Sequence, residues 1–215
     1  MRQPNNEEIR NVFNKVAGRY DRQMGFFERH VLDGARAWAV SKARGAVIEI
    51  GVGTGLNLPL YGPAVQHVIG VELSDGMLAI AQKRLTDEGL DNVGLRQGDA
   101  QALDLPSESA DTVISTFTFC TIPDPLAASR EAYRVLRPGG TFILAEHGPS
   151  ARAVSRALMR AIEPLSIRFG ADHLTRDPVP YLTTAGFTIT EIHRGGPCGI
   201  VFRVLAHKDN AQAHW

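Results

Sequence analysis

The chain predicts an α/β domain built on a doubly wound, mostly parallel sheet, and three observations point there. Short apolar runs alternate with stretches of helical spacing from about residue 46 to residue 147, the pattern of βαβ units with helices on both faces. One of those runs, 46–50, feeds straight into glycines at 51, 53 and 55, as a buried strand entering a tight turn does. At 215 residues and 44% hydrophobic content there is enough apolar surface for one full-sized core, with no internal repeat or low-complexity tract.

Taken in order, residues 6–44 have helical spacing with an expected break near Gly25. Strands are expected at 46–50, 67–72, 93–97, 111–117 and 141–147, with helices at 74–86 and 125–136 between them. Residues 151–170 form an amphipathic helix. Val154, Leu158, Ala161, Ile162 and Leu165 share one face, and Arg152, Arg156 and Arg160 another. Two readings are open: a surface helix packed on its own domain, or a basic helix in peripheral contact with an anionic membrane. Asp177 and Pro178 open a further helix, as N-cap and first helical position, and Gly186 closes it. Two more strands, 188–193 and 200–207, bring the total to seven. The expected segmentation of the single domain is a helical cap (1–44), a core (46–147), a lid (148–175) and a terminal helix with strands (176–215).

Composition excludes several classes. Twenty-three basic side chains balance 23 acidic ones, so the basic surplus expected of a nucleic-acid binder is missing. Two cysteines, Cys120 and Cys198, cannot make a disulfide framework or a cysteine-rich zinc site, and no His/Cys/carboxylate spacing indicates a metal ligand set. The first residues lack the apolar core of a signal peptide, and no stretch is long and apolar enough to span a membrane. A reducing, cytoplasmic setting is the expectation.

The run Val47-Ile-Glu-Ile-Gly-Val-Gly-Thr-Gly55 carries the functional signal. Its glycines fall as G-x-G-x-G; the dinucleotide fingerprint would want a glycine where Leu56 stands, and no P-loop lysine follows. Such a turn suits a nucleoside-like ligand without a pyrophosphate. It resembles the first motif of the class I S-adenosylmethionine (SAM) methyltransferases. That resemblance implies a seven-stranded, Rossmann-like sheet whose last strand is antiparallel. It also implies SAM as cofactor, S-adenosylhomocysteine as product, and Glu49 facing the methionine end. In open α/β sheets ligands lie beyond the carboxyl ends of the strands.

Glu72 ends the second strand, where a carboxylate can accept both ribose hydroxyls; a solvated strand-end acid is the plainer alternative. In the family, an acid after the third strand takes the adenine amino group and the next backbone N–H a ring nitrogen, which puts Asp99 and Ala100 there. Leu73 and Met77 would sandwich the ring, although Met77 alone reads as core filler. Thr116 and Phe117 lead out of the fourth strand beside the cofactor. Arg137-Pro-Gly-Gly140 before the fifth strand is a further family feature. The [DN]-P-P-[YFW] motif of nucleic-acid amino-methylating relatives is missing.

For the acceptor, residues 16–24, with Tyr20-Asp21, resemble the first helix of quinone C-methyltransferases and bacterial phospholipid N-methyltransferases, and residues 52–61 also resemble the latter. Residues 119–122, 134–140, 146–147 and 173–177 instead resemble alkyl thiol methyltransferases, without the amino-terminal membrane anchor of the mammalian ones. A small, fairly apolar thiol is therefore the expected acceptor. Phospholipid head-group N-transfer, C- or O-transfer to a quinone or polyketide, and a SAM-binding regulator stand as alternatives. Tyr20 is expected to orient the nucleophile or bind the methionine carboxylate, or merely to pack. His147 is the candidate general base, against a structural histidine bonding a loop carbonyl; His173 is a weaker candidate, and Cys120 reads as a core thiol. Monomer and homodimer are both compatible.

Overall fold

The computed structural model describes residues 3–210. The outermost two and five residues, assigned by the sequence to the cap and to the terminal segment, lie outside the described residues. The elements are α1 (Asn6–His30), α2 (Ala35–Lys42), β1 (Gly45–Ile50), β2 (Val65–Glu72), α3 (Asp75–Glu88), β3 (Val93–Gln97) and β4 (Ala110–Thr116). They continue as α4 (Pro125–Val135), β5 (Leu136–His147), α5 (Ala153–Gly170), α6 (Val179–Thr184), β6 (Thr188–Gly195) and β7 (Val201–His207).

The seven strands form one sheet in the order β3-β2-β1-β4-β5-β7-β6. β1 to β5 pair in parallel and β7 runs antiparallel to both β5 and β6. The strand order reverses between β1 and β4, which puts the ligand crevice at the ends of those strands. Each face carries an apolar layer. Phe119, Phe142, Phe187 and Phe202 anchor one; Val47, Leu58, Ile114 and Ile143 anchor the other beneath Ala35, Ala39 and Val40 of α2. β1 and β4 are buried along nearly their whole length, hence the continuous apolar runs in the sequence.

Helix starts follow local chemistry. Asn5 caps α1 in a reciprocal capping box with Glu8, Ser74 caps α3, and Asp124 caps α4 ahead of a proline at its first position.

Four expectations need correction. The first helix does not break at Gly25, where a glycine costs only about 1 kcal/mol; the chain turns after His30, through positive φ at Asp33 and Gly34. β5 starts at Leu136 and not at 141. Its pairing with β4 jumps from Ala110↔Leu136 to Thr112↔Thr141, and the Arg-Pro-Gly-Gly segment is the excursion between. α6 begins at Val179, one residue later than Pro178, with the Asp177 carboxylate accepting its first N–H. Finally, α5 packs less closely than a helix with one apolar face against its domain would. None of its residues is buried, and Val154, Leu158, Leu165 and Phe169 stand 61–85% exposed.

Candidate active site

A cleft opens where the strand order reverses. Its floor is the glycine turn (Gly51, Gly53, Leu56), Glu72 and Leu73 after β2, Met77 of α3 and residues 98–101 after β3. One wall is the segment after β4: Thr116, Phe117, Thr118, Thr121, Ile122 and Pro123. Asn6, Ile9, Phe13 and Tyr20 of α1 and Arg36 of α2 complete it. Of the residues singled out in the sequence, Tyr20, Gly51, Gly53, Glu72, Leu73, Met77, Asp99, Ala100, Thr116 and Phe117 line this cleft. Glu49, Gly55, His147 and His173 do not.

Glu72 is built into the floor. Its Oε2 accepts from the Gly53 N–H at 2.9 Å and its Oε1 from the Ser74 N–H at 2.8 Å, so one carboxylate spans the glycine turn and the start of α3. Burial raises its pKa, and the backbone N–H groups oppose that rise. Each oxygen keeps a further lone pair for a ligand hydroxyl. Gly53, at φ +57, has nothing within 4 Å of where a Cβ would stand, leaving bare backbone towards the cleft. At the other end of the floor, Asp99 accepts from Asn6 Nδ2 at 2.7 Å and from Gln101. Such a floor fits a nucleoside: a carboxylate for vicinal hydroxyls, a second acid for a ring amine, and Leu73 and Met77 for the flat faces.

The Tyr20-Asp21 pair divides its labour. Tyr20 faces the cleft, and burial drives its phenol far above the usual range, so it stays neutral at any working pH. Asp21 fastens α1 down. It accepts from Thr54 Oγ1 and Arg84 Nη2, each at 2.5 Å, while Arg84 Nε also donates to the Thr54 carbonyl. Asn14 adds a second tie, accepting from Ser74 Oγ and the Gly76 N–H.

Glu49 lies behind the cleft. Its carboxylate accepts from Asn57 Nδ2 and Tyr61 Oη at 2.7 Å each. Burial pushes its pKa up to about 7, against the pull of those donors and of Arg36. The sign follows directly: an acid whose folded pKa exceeds its unfolded one favours the fold while protonated and loses that contribution as pH rises towards 7. Stability should therefore fall between pH 4.5 and 7, with Glu49 responsible for on the order of 2–3 kcal/mol. Urea midpoints at pH 5 and pH 8 should differ less in Glu49→Gln than in wild type. An equal difference in the two proteins would remove Glu49 as the cause.

Sequence reasoning missed Arg36. It donates to Asn57 Oδ1 at 2.6 Å and Thr116 Oγ1 at 3.3 Å, pairs with Glu28, and lies 5.8 Å from the Phe117 ring centre. It is the cationic side chain of the cleft, suited to a carboxylate on the ligand. Its one signal was a lone arginine among the small residues of α2. Asn6 and Gln101 were missed too, since neither belongs to a motif.

The two histidines sit elsewhere. His147, at the end of β5, has Nε2 3.0 Å from Asp172 Oδ1 and 3.9 Å from Glu146 Oε1. Burial works to lower its pKa, but Asp172 first, then Glu146 and Glu163, outweigh it and carry it up to about 9. Its neighbours favour the protonated ring, which works against a role as a base that must accept a proton. The His173 N–H donates to the Cys120 carbonyl, and its side chain is off the cleft lining. Both cysteines are free.

Residues 48–144 match the methyltransferase domain family. Over 147 residues (65% of this chain and 71% of the other) the protein is 41% identical to a phosphatidylethanolamine N-methyltransferase of Cereibacter sphaeroides. It is 30% identical over 184 residues to a demethylmenaquinone methyltransferase of Listeria monocytogenes, covering 80% and 77% of the two chains. A SAM-dependent methyltransferase of Thermotoga maritima superimposes with a TM-score of 0.69 at 25% identity, over 93% of this chain and 99% of that one. The YcgJ protein of Bacillus subtilis (TM-score 0.66, 19% identity, 82% and 99% covered) shares the fold. Sheet order, glycine turn and relatives agree: this chain is an enzyme of the class I SAM-dependent methyltransferases.

Proposed function

We propose that the enzyme transfers a methyl group from SAM to a small, fairly apolar acceptor, and that the acceptor atom is a thiol sulfur. SAM, when bound, supplies an electrophilic methyl on a sulfonium. The chain holds it in this reading by Glu72 at the ribose hydroxyls, by Asp99 and the Ala100 N–H at the adenine edge, and by Leu73 and Met77 at its faces. Arg36 offers a countercharge to the methionine carboxylate. With donor activation already in the cofactor, what remains for the protein is alignment of nucleophile and methyl, which can be worth about 7–11 kcal/mol.

The observation carrying the sulfur assignment is the make-up of the acceptor wall. Tyr20, Thr116, Phe117, Thr118, Thr121, Ile122 and Pro123 supply hydroxyls and apolar surface. Among the described residues lining the cleft there is no histidine, and its two acids, Glu72 and Asp99, belong to the cofactor floor. A nucleophile bound here brings its own ionisation. A thiol does so, a few per cent of it being thiolate at pH 7 and strongly nucleophilic; an alcohol does not. Tyr20, as a neutral phenol, can orient that sulfur. A second reading, an ethanolamine head-group nitrogen, is favoured by the phosphatidylethanolamine-methylating relative and the exposed apolar stripe of α5. Incubation with methyl-labelled SAM and, separately, alkyl and aryl thiols, phosphatidylethanolamine vesicles and a reduced demethylated quinone should put label on the thiols. Label on the lipid or quinol and none on thiols would overturn the sulfur assignment.

A further inference from the structure

Behind the acceptor wall lies a second cluster of chemistry-bearing side chains that the methyl transfer just described does not use. Cys120 comes from the segment after β4, His147 from the end of β5, and Asp172 from the segment after α5. One ligating atom of each, a sulfur, a ring nitrogen and a carboxylate oxygen, lies within 4.8 Å of the other two. Cys120 is buried, and the His147 and Asp172 side chains keep 18% and 29% of their exposure.

The frame around these atoms is assembled without them. The Glu146 carboxylate accepts from the Cys120 N–H at 3.2 Å and from the His147 N–H at 2.9 Å, fixing two of the three backbones against each other. The His173 N–H donates to the Cys120 carbonyl, which brings the third segment in. Arg176 Nη1 donates to the carbonyls of Phe119 and Ile122 at 2.6 Å each, on either side of Cys120. The loops are thus held by backbone bonds and by Glu146 and Arg176, and the thiol, Nε2 and the carboxylate face one another inside that frame. Asp172 Oδ1 reinforces this. It is sealed from solvent, and although His147 Nε2 is 3.0 Å away, no well-aligned hydrogen bond reaches it. An ion pair out of line leaves a buried carboxylate oxygen under-satisfied, and a cation among the three groups would meet it.

We propose that Cys120, His147 and Asp172 form a three-ligand site for a borderline-soft divalent cation of the zinc type. Sulfur, imidazole and carboxylate together match that preference, and three protein ligands leave one coordination position open. Bonds of about 2.0–2.3 Å set donor atoms roughly 3.3–3.7 Å apart in a tetrahedron, so closure on the ion needs a contraction of about 1 Å. Glu146 holds the Cys120 and His147 backbones beside the site. Because Cys120 lies between Thr118 and Thr121, which line the cleft, a bound ion ties the acceptor wall to the segment after α5. The inference does not depend on which acceptor the enzyme uses.

The test uses chelator-stripped, tag-free full-length protein with Zn2+ in calorimetry and Co2+ in absorption spectroscopy. One equivalent of Zn2+ should bind and raise the melting temperature. Bound Co2+ should show a thiolate-to-metal charge-transfer band with tetrahedral d–d intensity. Cys120→Ser and His147→Gln should each weaken Zn2+ binding by about 100-fold and abolish the band, while far-UV circular dichroism and SAM affinity stay at wild-type levels. If wild-type protein saturated with Co2+ shows no sulfur charge-transfer band, the site is refuted, even where a variant fails to fold. Folded variants that bind Zn2+ as tightly as wild type refute it equally. A failure of thiol methylation alters none of these readings.

Discussion

Replacing Glu72 with alanine should weaken SAM binding by about 1–3 kcal/mol, roughly 5- to 150-fold in dissociation constant. The reason lies in the geometry of its two oxygens. Each already accepts a backbone N–H, from Gly53 and Ser74, and each has a lone pair left for a ribose hydroxyl. Truncation removes the ligand's acceptors and strands two N–H groups at the floor of the cleft. The effect on the fold should be smaller than the effect on the ligand. Burial raises the carboxyl's pKa, so its charge burdens the folded state, and losing that burden offsets part of the cost of the freed N–H groups. The signature is therefore a large change in affinity with a small change in melting temperature. Calorimetric titration of the variant with SAM checks it; an unchanged dissociation constant would take Glu72 off the ribose.

Gly51→Ala should destabilise the enzyme by about 2–5 kcal/mol, and Gly53→Ala by clearly less. A Cβ at Gly51 would stand 2.3 Å from Thr118 Cγ2 and 2.4 Å from its Oγ1, in a residue at φ +70. The backbone strain of that region costs about 1–2 kcal/mol, and forcing the Thr118 segment aside about 1–3 more. Thr118 belongs to the acceptor wall, so methyl-transfer activity should fall along with stability. Gly53 carries similar backbone strain but has open space around it. Its alanine variant should melt closer to wild type and yet bind SAM poorly, because the added methyl projects into the cleft. Urea denaturation and SAM titration of both variants separate the two effects. Equal destabilisation would mean that the contact between turn and wall is not what Gly51 protects.

The parts of this architecture visible in the sequence are those where one short segment does the whole job. Residues 46–55 combine a strand buried on both faces with a turn at positive φ, and both demands are met by local residue choice. Glu72 was visible because it ends the strand beside that turn, and Asp99 because the family resemblance calls for an acid after the third strand. The α5 stripe was visible as periodicity, but periodicity does not say what a face packs against, and here none of its residues is fully buried. Arg36, Asn6 and Gln101 reach the cleft only through helix placement. The Cys120, His147 and Asp172 cluster was hidden for the same reason: its members are 25 or more residues apart, on three segments that only the folded sheet brings side by side. His147 shows how much a neighbour matters. As a sequence position it reads as a base near neutrality, but Asp172, distant in the chain, shifts it towards the protonated form.

The attachment of α1 has a consequence for turnover. Of that helix only Ile9 and Ala17 are fully buried, with Phe13 and Tyr20 partly so over the cleft, and Asn6, Asn14 and Asp21 fasten it to the body by polar bonds. Releasing it would cost less of the apolar burial on which the sheet depends than parting the strands would. Exchange of the nucleoside should therefore go by way of that segment, with amide hydrogen exchange faster in α1 than in β1 and β4.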